Sequence, residues 1–577
     1  MPELNVSRKT IFEILSSMKN KKFIIPDYQR PYSWDIEKCE ILWNDLLDFY
    51  ENKIDDNDEY FLGTIVTCKT AEGLEIIDGQ QRITSLTILL RVLFQQLENT
   101  TIKNKSVIGL MNKIAPCIWN TNEITGDVDD KNNIHIESKV LTEDIKDIFH
   151  NIIINGVEVT SNREDLYTKN AEFFYEKSET FAKTNPTEWY NLIISILNKT
   201  IILPIECENF DMGLTIFSTL NDRGMPLSDS DIFKAQIYKL MKSDTKKSDF
   251  IDNWKNLENE LKKSDMSIND IFRYYTHIVR AREGVVDKEI GLRKFYSNDN
   301  YAIFKKEPEL IDELYILAKF WTRIYQRDYS NNNGINIYKE TFKYIHCLYL
   351  YPNEYWKYIV SVFYMANRNS ESFGFDFNVF VKKLLSFLFL KFAEKPTVNY
   401  IKDPLFRACV KVWNKNHKDV FNRGSDNIND SINFDSEIEI KNRINNLYTY
   451  KISKAIILLK SYLFNGQDDL IENNKFDVEH IFPKKWQDTN YNGWEKADAL
   501  KYLEMFGNKI IFERKLNIEA GNGYFGEKKK KYCKSKYKEV LYLSNYNKND
   551  WLKEDIEKRN EEFVNTIYNF FKESLEC

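Results

Sequence analysis

Apolar positions along this chain follow a mixed pattern first and a helical one later. Ile11, Ile14, Leu15 and Met18 recur at helical spacing and predict a short helix within residues 1–20. Phe23-Ile-Ile-Pro-Asp-Tyr-Gln-Arg-Pro-Tyr-Ser-Trp34 combines a short apolar run with two prolines, which predicts an extended segment ending in a turn. Ser33 stands where it can cap a helix over residues 35–50, with Ile36, Cys39, Leu42, Leu46 and Leu47 on one face. Residues 60–67 and 74–77 read as strands, and 83–97 return to helical spacing. Residues 100–200 alternate polar loops with helical patches. Residues 200–205 read as a strand. Residues 214–238 read as helix, turn at 221–226 and a second helix, which Ser228 caps with Asp231 three residues on.

From 240 to 465 the periodicity is helical and rich in Tyr, Phe, Trp and Leu, with no repeat of fixed period. The polar stretch 422–435 predicts a loop or hinge. The expected class is α+β, multidomain and mostly helical, with domains at 1–240, 241–454 and 455–577.

A chain of 577 residues exceeds one core, and a 43% hydrophobic share supplies several. Net charge is −6, so no global basic field advertises nucleic acid, and any such partner must be held by local patches. One patch is plain: residues 475–539 carry 15 Lys and Arg against 10 Asp and Glu, with Lys528-Lys-Lys-Lys531 the densest run. The eight cysteines form no C-x-x-C pair, which argues against a thiolate zinc site or disulfide framework and for a reducing compartment. With no signal pattern and no apolar run near 18 residues, the expectation is a soluble, cytoplasmic protein with no membrane partner.

Asp477-Val-Glu-His-Ile-Phe-Pro483 sets carboxylates beside a histidine. Phosphodiester hydrolysis needs charge neutralised on the phosphate and a base near neutral pH, which His480 can supply. Downstream, Asn508 sits in the apolar, strand-like Phe506-Gly-Asn-Lys-Ile-Ile-Phe512, and Asn517 precedes a Lys-rich, helix-like stretch. A lone Glu-His pair is usually a surface pair and a Lys run usually a solvated face; the ordered set is what distinguishes this region. His135, His150, His277, His346 and His417 have no such company and read as structural.

The order His480, Asn508, Asn517 resembles the ββα-metal, or HNH, finger. Closest is a subfamily pattern matched here by Glu479-His-Ile-Phe-Pro, Gly507-Asn508, Asn517, Phe525-Gly-Glu-Lys528 and Tyr532. The resemblance implies a ββα-metal finger within a helical C-terminal domain. It makes His480 the general base, Asn508 its orienter, and Glu479 and Asn517 metal ligands, with Lys528 near a DNA phosphate and Asp477 a further candidate. Oxygen and nitrogen donors with open positions suit Mg²⁺ or Mn²⁺ better than zinc. Lys509, where many relatives carry a small apolar residue, is expected to matter little to the chemistry.

Asp78-Gly-Gln-Gln-Arg82 lies between a strand and a helix. Gly79 permits close backbone approach, the helix N-terminus offers free N–H groups, and Arg82 adds a bidentate donor. It is not a Walker A loop. With Pro26-x-Tyr-Gln-Arg-Pro-Tyr-Ser-Trp34, Phe61-Leu-Gly63 and Asn221-x-Arg-Gly-x-Pro-Leu-Ser-x-x-Asp231 plus Lys234, it resembles the DGQQR domain of GmrSD-type restriction systems, which is similar to the ParB/sulfiredoxin fold. That resemblance implies a nucleotide site of Asp78, Gly79, Gln80, Gln81 and Arg82 with Gln29 and Arg30 nearby. Asn221, Arg223 and Asp231 either complete it or stabilise the turn. Tyr28, Tyr32 and Trp34 are either core or contacts to a base.

The implied function is an NTP-dependent or NTP-regulated DNA endonuclease that restricts phage DNA, modified DNA above all, with NTP hydrolysis in the N-terminal domain. Its partners would be DNA and a nucleoside triphosphate, with a homo-oligomer left open. Two alternatives stand beside it: a nucleotide-regulated DNA sensor that does not cut, and a nuclease toxin of low specificity acting by abortive infection.

Overall fold

Seven strands of the first 207 residues pair into one mixed sheet in the computed structural model of the chain. The structure describes residues 5–576 except 54, 56, 123, 141–142, 159–163, 209–211, 214–215, 217–227, 300, 331–335, 398, 422–431, 433–435 and 486–493. The chain divides into two compact units, residues 1–251 and 252–577. The helical middle and the C-terminal region therefore share one unit.

In the first unit the strands are β1 (Asn5–Val6), β2 (Lys9–Thr10), β3 (Phe23–Ile25), β4 (Tyr60–Lys69), β5 (Leu74–Asp78), β6 (Ile136–Ser138) and β7 (Thr200–Cys207). Their order is β1-β7-β4-β5-β3-β6, with β2 also on β7. β4 and β5 are antiparallel, whereas β7 runs parallel to β4, and β3 parallel to both β5 and β6.

Helix α1 (Ile11–Ser16) is shorter than its apolar spacing suggests, but the four predicted face residues are all buried. Helix α2 (Ile36–Asn52) is capped by Asp35, whose carboxylate accepts from Lys38 N; Ser33 is engaged elsewhere. Helix α3 (Gln80–Glu98) departs most from expectation. Its sequence reads as amphipathic, yet it is buried around its girth because α4 (Lys105–Ile118) and α5 (Leu166–Thr184) pack against it. Among its buried polar groups Thr87 donates to Ile83 O and Arg91 Nε to Ile153 O, while Arg91 Nη1 lies 3.6 Å from Glu98. Helix α6 (Asp229–Leu240) starts at Ser228 with the predicted capping box. The helix and turn expected at 214–226 lie outside the described residues apart from 216, as does the expected hinge at 422–435 apart from 432.

The second unit is helical but for one strand pair. Helix α7 (Ile268–Arg282) packs on α8 (Tyr355–Asn367), and α9 (Phe373–Glu394) is almost wholly buried. Aromatic stacking joins them: Phe363 and Phe380 ring centroids are 4.3 Å apart. Beyond α10 (Ser453–Tyr462), β8 (Phe476–His480) and β9 (Lys509–Glu513) pair antiparallel, with His480 opposite Lys509. Helices α11 (Arg514–Ala520) and α12 (Phe525–Tyr532) follow β9. The last helix, α13 (Lys553–Glu576), packs on α9 and on the turn at Phe506–Asn508. His277 stacks on Tyr358, and His346 hydrogen-bonds Tyr462, as structural histidines do. Among the described residues, no helix is long and apolar enough to cross a membrane.

Candidate functional site

Strand β8 delivers Glu479 and His480 together because its backbone pairs with β9 from Phe476 to His480. Alternation along a strand sends the two side chains to opposite faces. Glu479 faces α12. Its Oε1 accepts from the Tyr532 hydroxyl at 2.9 Å and from the Lys528 ammonium at 2.7 Å. All three side chains are buried, Lys528 to 1% exposure and Glu479 to 4%. Burial pushes the Glu479 carboxyl up and the Lys528 ammonium down, each toward its neutral form, while their contact pulls both back.

Lys528 was expected near a substrate phosphate. Its ammonium is instead an internal counter-ion, bonded to Glu479 and to the His480 carbonyl, because α12 brings it under β8 rather than onto the surface.

His480 lies on the other face. Its Nε2 is buried and hydrogen-bonds no described residue; Glu504 Oε1 lies 3.4 Å away. Burial, with help from Lys509, Lys484 and Lys528 and against Glu504, lowers its pKa to about 4, so the ring is neutral near pH 7 with a lone pair available. Glu504 is held by Lys509 at 2.6 Å, with Lys484 at 3.7 Å. Burial raises the Glu504 carboxyl, but these cations and His480 outweigh it and leave it below the usual range.

Asn508 is fully buried and does not reach the His480 ring. Its Oδ1 accepts from Phe482 N at 2.7 Å, and its Nδ2 donates to the carbonyls of Phe482 and Leu503, both at 3.1 Å. Whatever it does for His480 passes through the backbone on either side. Arg559 of α13 supports the same turn, giving Nη1 to the carbonyls of Phe506, Gly507 and Lys509 and Nη2 to the buried Glu539 at 2.6 Å.

Asn517 sits half-buried on α11, which packs on both strands, and its side chain makes no hydrogen bond to a described residue. Asp477 is taken up by a two-point pair with Arg514, at 3.0 and 3.4 Å. Beside α11 a cavity of about 720 Å³ opens among Lys475, Arg514, Lys515, Ile518 and Lys536.

The Glu479 carboxylate and the Asn517 amide, which accepts from no described residue, both offer the oxygen a hard divalent cation takes. Among the described residues, no trio of His, Cys, Asp and Glu forms a metal cluster, so solvent or substrate would fill the remaining positions. Glu504, Lys509, Tyr532 and Arg559 complete the surroundings. Of these only Tyr532 stood within the sequence pattern.

In the first unit, Gly79 makes the elbow between β5 and α3. Its φ is +96°, and an added Cβ would lie 2.8 Å from Ile65 Cγ1. Asp78 accepts the Gly79 N–H; burial holds its carboxyl above the ordinary value despite that bond and the nearby Arg82 and Arg30.

The glutamines are clamps. Gln81 Oε1 accepts from Ser33 N at 2.8 Å and Trp34 N at 3.3 Å, and its Nε2 donates to Pro31 O at 3.2 Å. Gln80 donates to Arg30 O, and Gln29 to Ile77 O. Arg82 donates Nη1 to Thr64 O at 2.6 Å and lies on Gly63, where an added Cβ would be 3.0 Å from its guanidinium carbon; this explains the glycine of Phe61-Leu-Gly63.

Tyr32 is core, hydrogen-bonded to Ser85 and Asn170 and stacked on Tyr167. Asp231 serves the capping box of α6. Asn221 and Arg223 lie outside the described residues. A cavity of about 410 Å³ opens by Asp27, Tyr28, Lys69, Glu75, Lys139 and Tyr238, and none of Asp78–Arg82 lines it.

Both constellations fall within matched family models. The GmrSD restriction endonuclease N-terminal domain matches residues 11–238, and the GmrSD restriction endonuclease C-terminal domain matches residues 432–566. The chain belongs to the GmrSD restriction endonuclease family. It is a DNA endonuclease of phage restriction, with DNA as its substrate. Among curated proteins, no sequence matches it.

Proposed function

We propose that the second unit hydrolyses DNA phosphodiesters by HNH-type, metal-assisted chemistry, and that the first unit binds a nucleoside triphosphate that regulates cutting. One observation carries the nuclease half: a neutral, half-buried His480 next to Glu479 on a ββα arrangement of β8, β9 and α11. His480 takes a proton from water as the water oxygen bonds to phosphorus; the phosphorus–ester oxygen bond breaks, and the leaving oxygen is protonated from solvent. Glu479 and Asn517 are the residues to hold Mg²⁺ or Mn²⁺, which when bound neutralises phosphate charge. Lys528 and Tyr532 fix the Glu479 carboxylate.

In the first unit, Arg30, the remaining Arg82 N–H groups and the first-turn N–H groups of the 19-residue α3 are the donors for phosphate. Gln29, Gln80 and Gln81 act as the frame that shapes this elbow. The ParB/sulfiredoxin likeness supports a nucleotide there and NTP hydrolysis as its activity. Modified phage DNA is the substrate we favour.

The test is cleavage of plain, hydroxymethylated and glucosylated DNA by the full chain with Mg²⁺ or Mn²⁺, with and without each NTP, for wild type and Arg82→Ala. The proposal expects modified DNA to be cut fastest and its NTP response to vanish in Arg82→Ala. Equal cutting of all DNAs removes the modification claim. An unchanged NTP response in Arg82→Ala removes the regulatory one.

A further inference from the structure

We propose that Glu504 is the positioning residue of His480, and that Asn508 and Lys509 act by holding Glu504 in place. The inference rests on the nuclease reading and goes beyond the residues of the motif. A general base must present one ring nitrogen to water, so something must fix the ring about its two torsions. The motif residue expected to do this, Asn508, has its amide committed to the backbone of Phe482 and Leu503.

Glu504 Oε1, 3.4 Å from His480 Nε2, is the carboxylate that faces the ring. Antiparallel pairing of His480 with Lys509 puts their side chains on one face of the strand pair. From there Lys509, itself buried, grips Glu504 Oε2 at 2.6 Å. The Asn508 bond to Leu503 O fixes the residue just before Glu504. His480, Lys509, Glu504 and Asn508 thus form a closed loop of contacts around the ring. The Glu504 carboxylate beside Nε2 favours the tautomer protonated there, which leaves Nδ1 to take the proton from water. Lys509, a mild departure from the family pattern, then acquires a purpose that an apolar residue there could not serve.

The experiment measures kcat and KM for DNA cleavage by the full chain for wild type, His480→Ala, Glu504→Gln, Glu504→Asp and Lys509→Met, with thermal melts of each. Glu504→Gln keeps shape but loses charge; it is expected to lower kcat about 10- to 100-fold with KM and melting unchanged. Glu504→Asp should recover part of that loss, and Lys509→Met should lose less than Glu504→Gln. Wild-type kcat in Glu504→Gln, with His480→Ala silent, overturns this inference alone. A loss in KM rather than kcat, or a Glu504→Gln loss matched by a collapsed melt that Glu504→Asp does not restore, assigns Glu504 to substrate binding or folding and also overturns it. If wild type cuts no DNA, or His480→Ala cuts undiminished, the nuclease reading falls and this inference with it.

Discussion

Replacing Lys528 by Met tests whether Glu479 and Lys528 form an internal ion pair. Both side chains are almost fully buried and meet at 2.7 Å. Removing the ammonium leaves a buried carboxylate with only neutral donors, the Tyr532 hydroxyl and the His480 backbone N–H. A buried charge stripped of its partner costs about 3–5 kcal/mol. At roughly 2–4 °C per kcal/mol for domains of 150–250 residues, the transition of the second unit should fall by roughly 6–20 °C, toward the lower end because that unit is larger. Calorimetry of the full chain reads it. Glu479→Gln with Lys528→Met removes both charges and should recover most of the loss, since a neutral pair leaves nothing unpaired. A single variant melting within a degree of wild type, or a double variant no better than the single, refutes the pairing. A Lys528 that served only to touch DNA would leave the melt unchanged and weaken binding.

Other consequences follow from the same contacts. Gln81→Ala unties Ser33 and Trp34 from the elbow and should cost about 2–4 kcal/mol by denaturant unfolding, with faster hydrogen exchange at those two amides. Arg559→Met leaves the buried Glu539 with only Ser461 and the more distant Lys460, and frees three carbonyls around Asn508, so melting and cleavage rate should fall together. Arg559→Lys should recover only part of either, because an ammonium lacks the guanidinium fork. His346 is held neutral by burial, then by Arg327 and Lys454, with its pKa lowered to about 3. A folded pKa below the ordinary 6.5 means the unfolded chain takes up the proton first. Its contribution is whole above pH 6.5 and is lost as pH falls toward 3, up to about 5 kcal/mol. His346→Gln should flatten that part of the unit's pH–stability curve; an unchanged slope refutes it.

Periodicity made the elements legible where one face decides the outcome: β4, β5, β7 and α6 lie where the apolar spacing put them, with only their ends revised. It placed α3 as a helix but not its burial on every side, because the buried Thr, Ser and Arg of a central helix look like a solvent face. The glutamines of the elbow were legible as a motif but not as clamps, since their partners are backbone groups of a distant segment that no side-chain pattern encodes. At the other site, Glu479, His480 and Asn508 were singled out as candidates by order and spacing. Glu504 was not, because it sits in the apolar run Tyr502-Leu-Glu-Met-Phe506 and meets His480 only through the fold of the turn. Lys509 was discounted for a related reason: its value lies in a cross-strand neighbour, which sequence does not name. Lys528 was placed in the right site with the wrong partner, since burial alone separates an internal counter-ion from a phosphate contact.

The central claim is that His480 is the base of a metal-assisted cut. The most direct measurement is the cleavage rate of phage DNA by the purified full chain in Mg²⁺ or Mn²⁺, beside chelator and beside His480→Ala. The account predicts cutting by wild type, none in chelator, and a loss of at least about 100-fold in His480→Ala with the fold intact. Cutting that survives the chelator, or proceeds at the wild-type rate in His480→Ala, contradicts it.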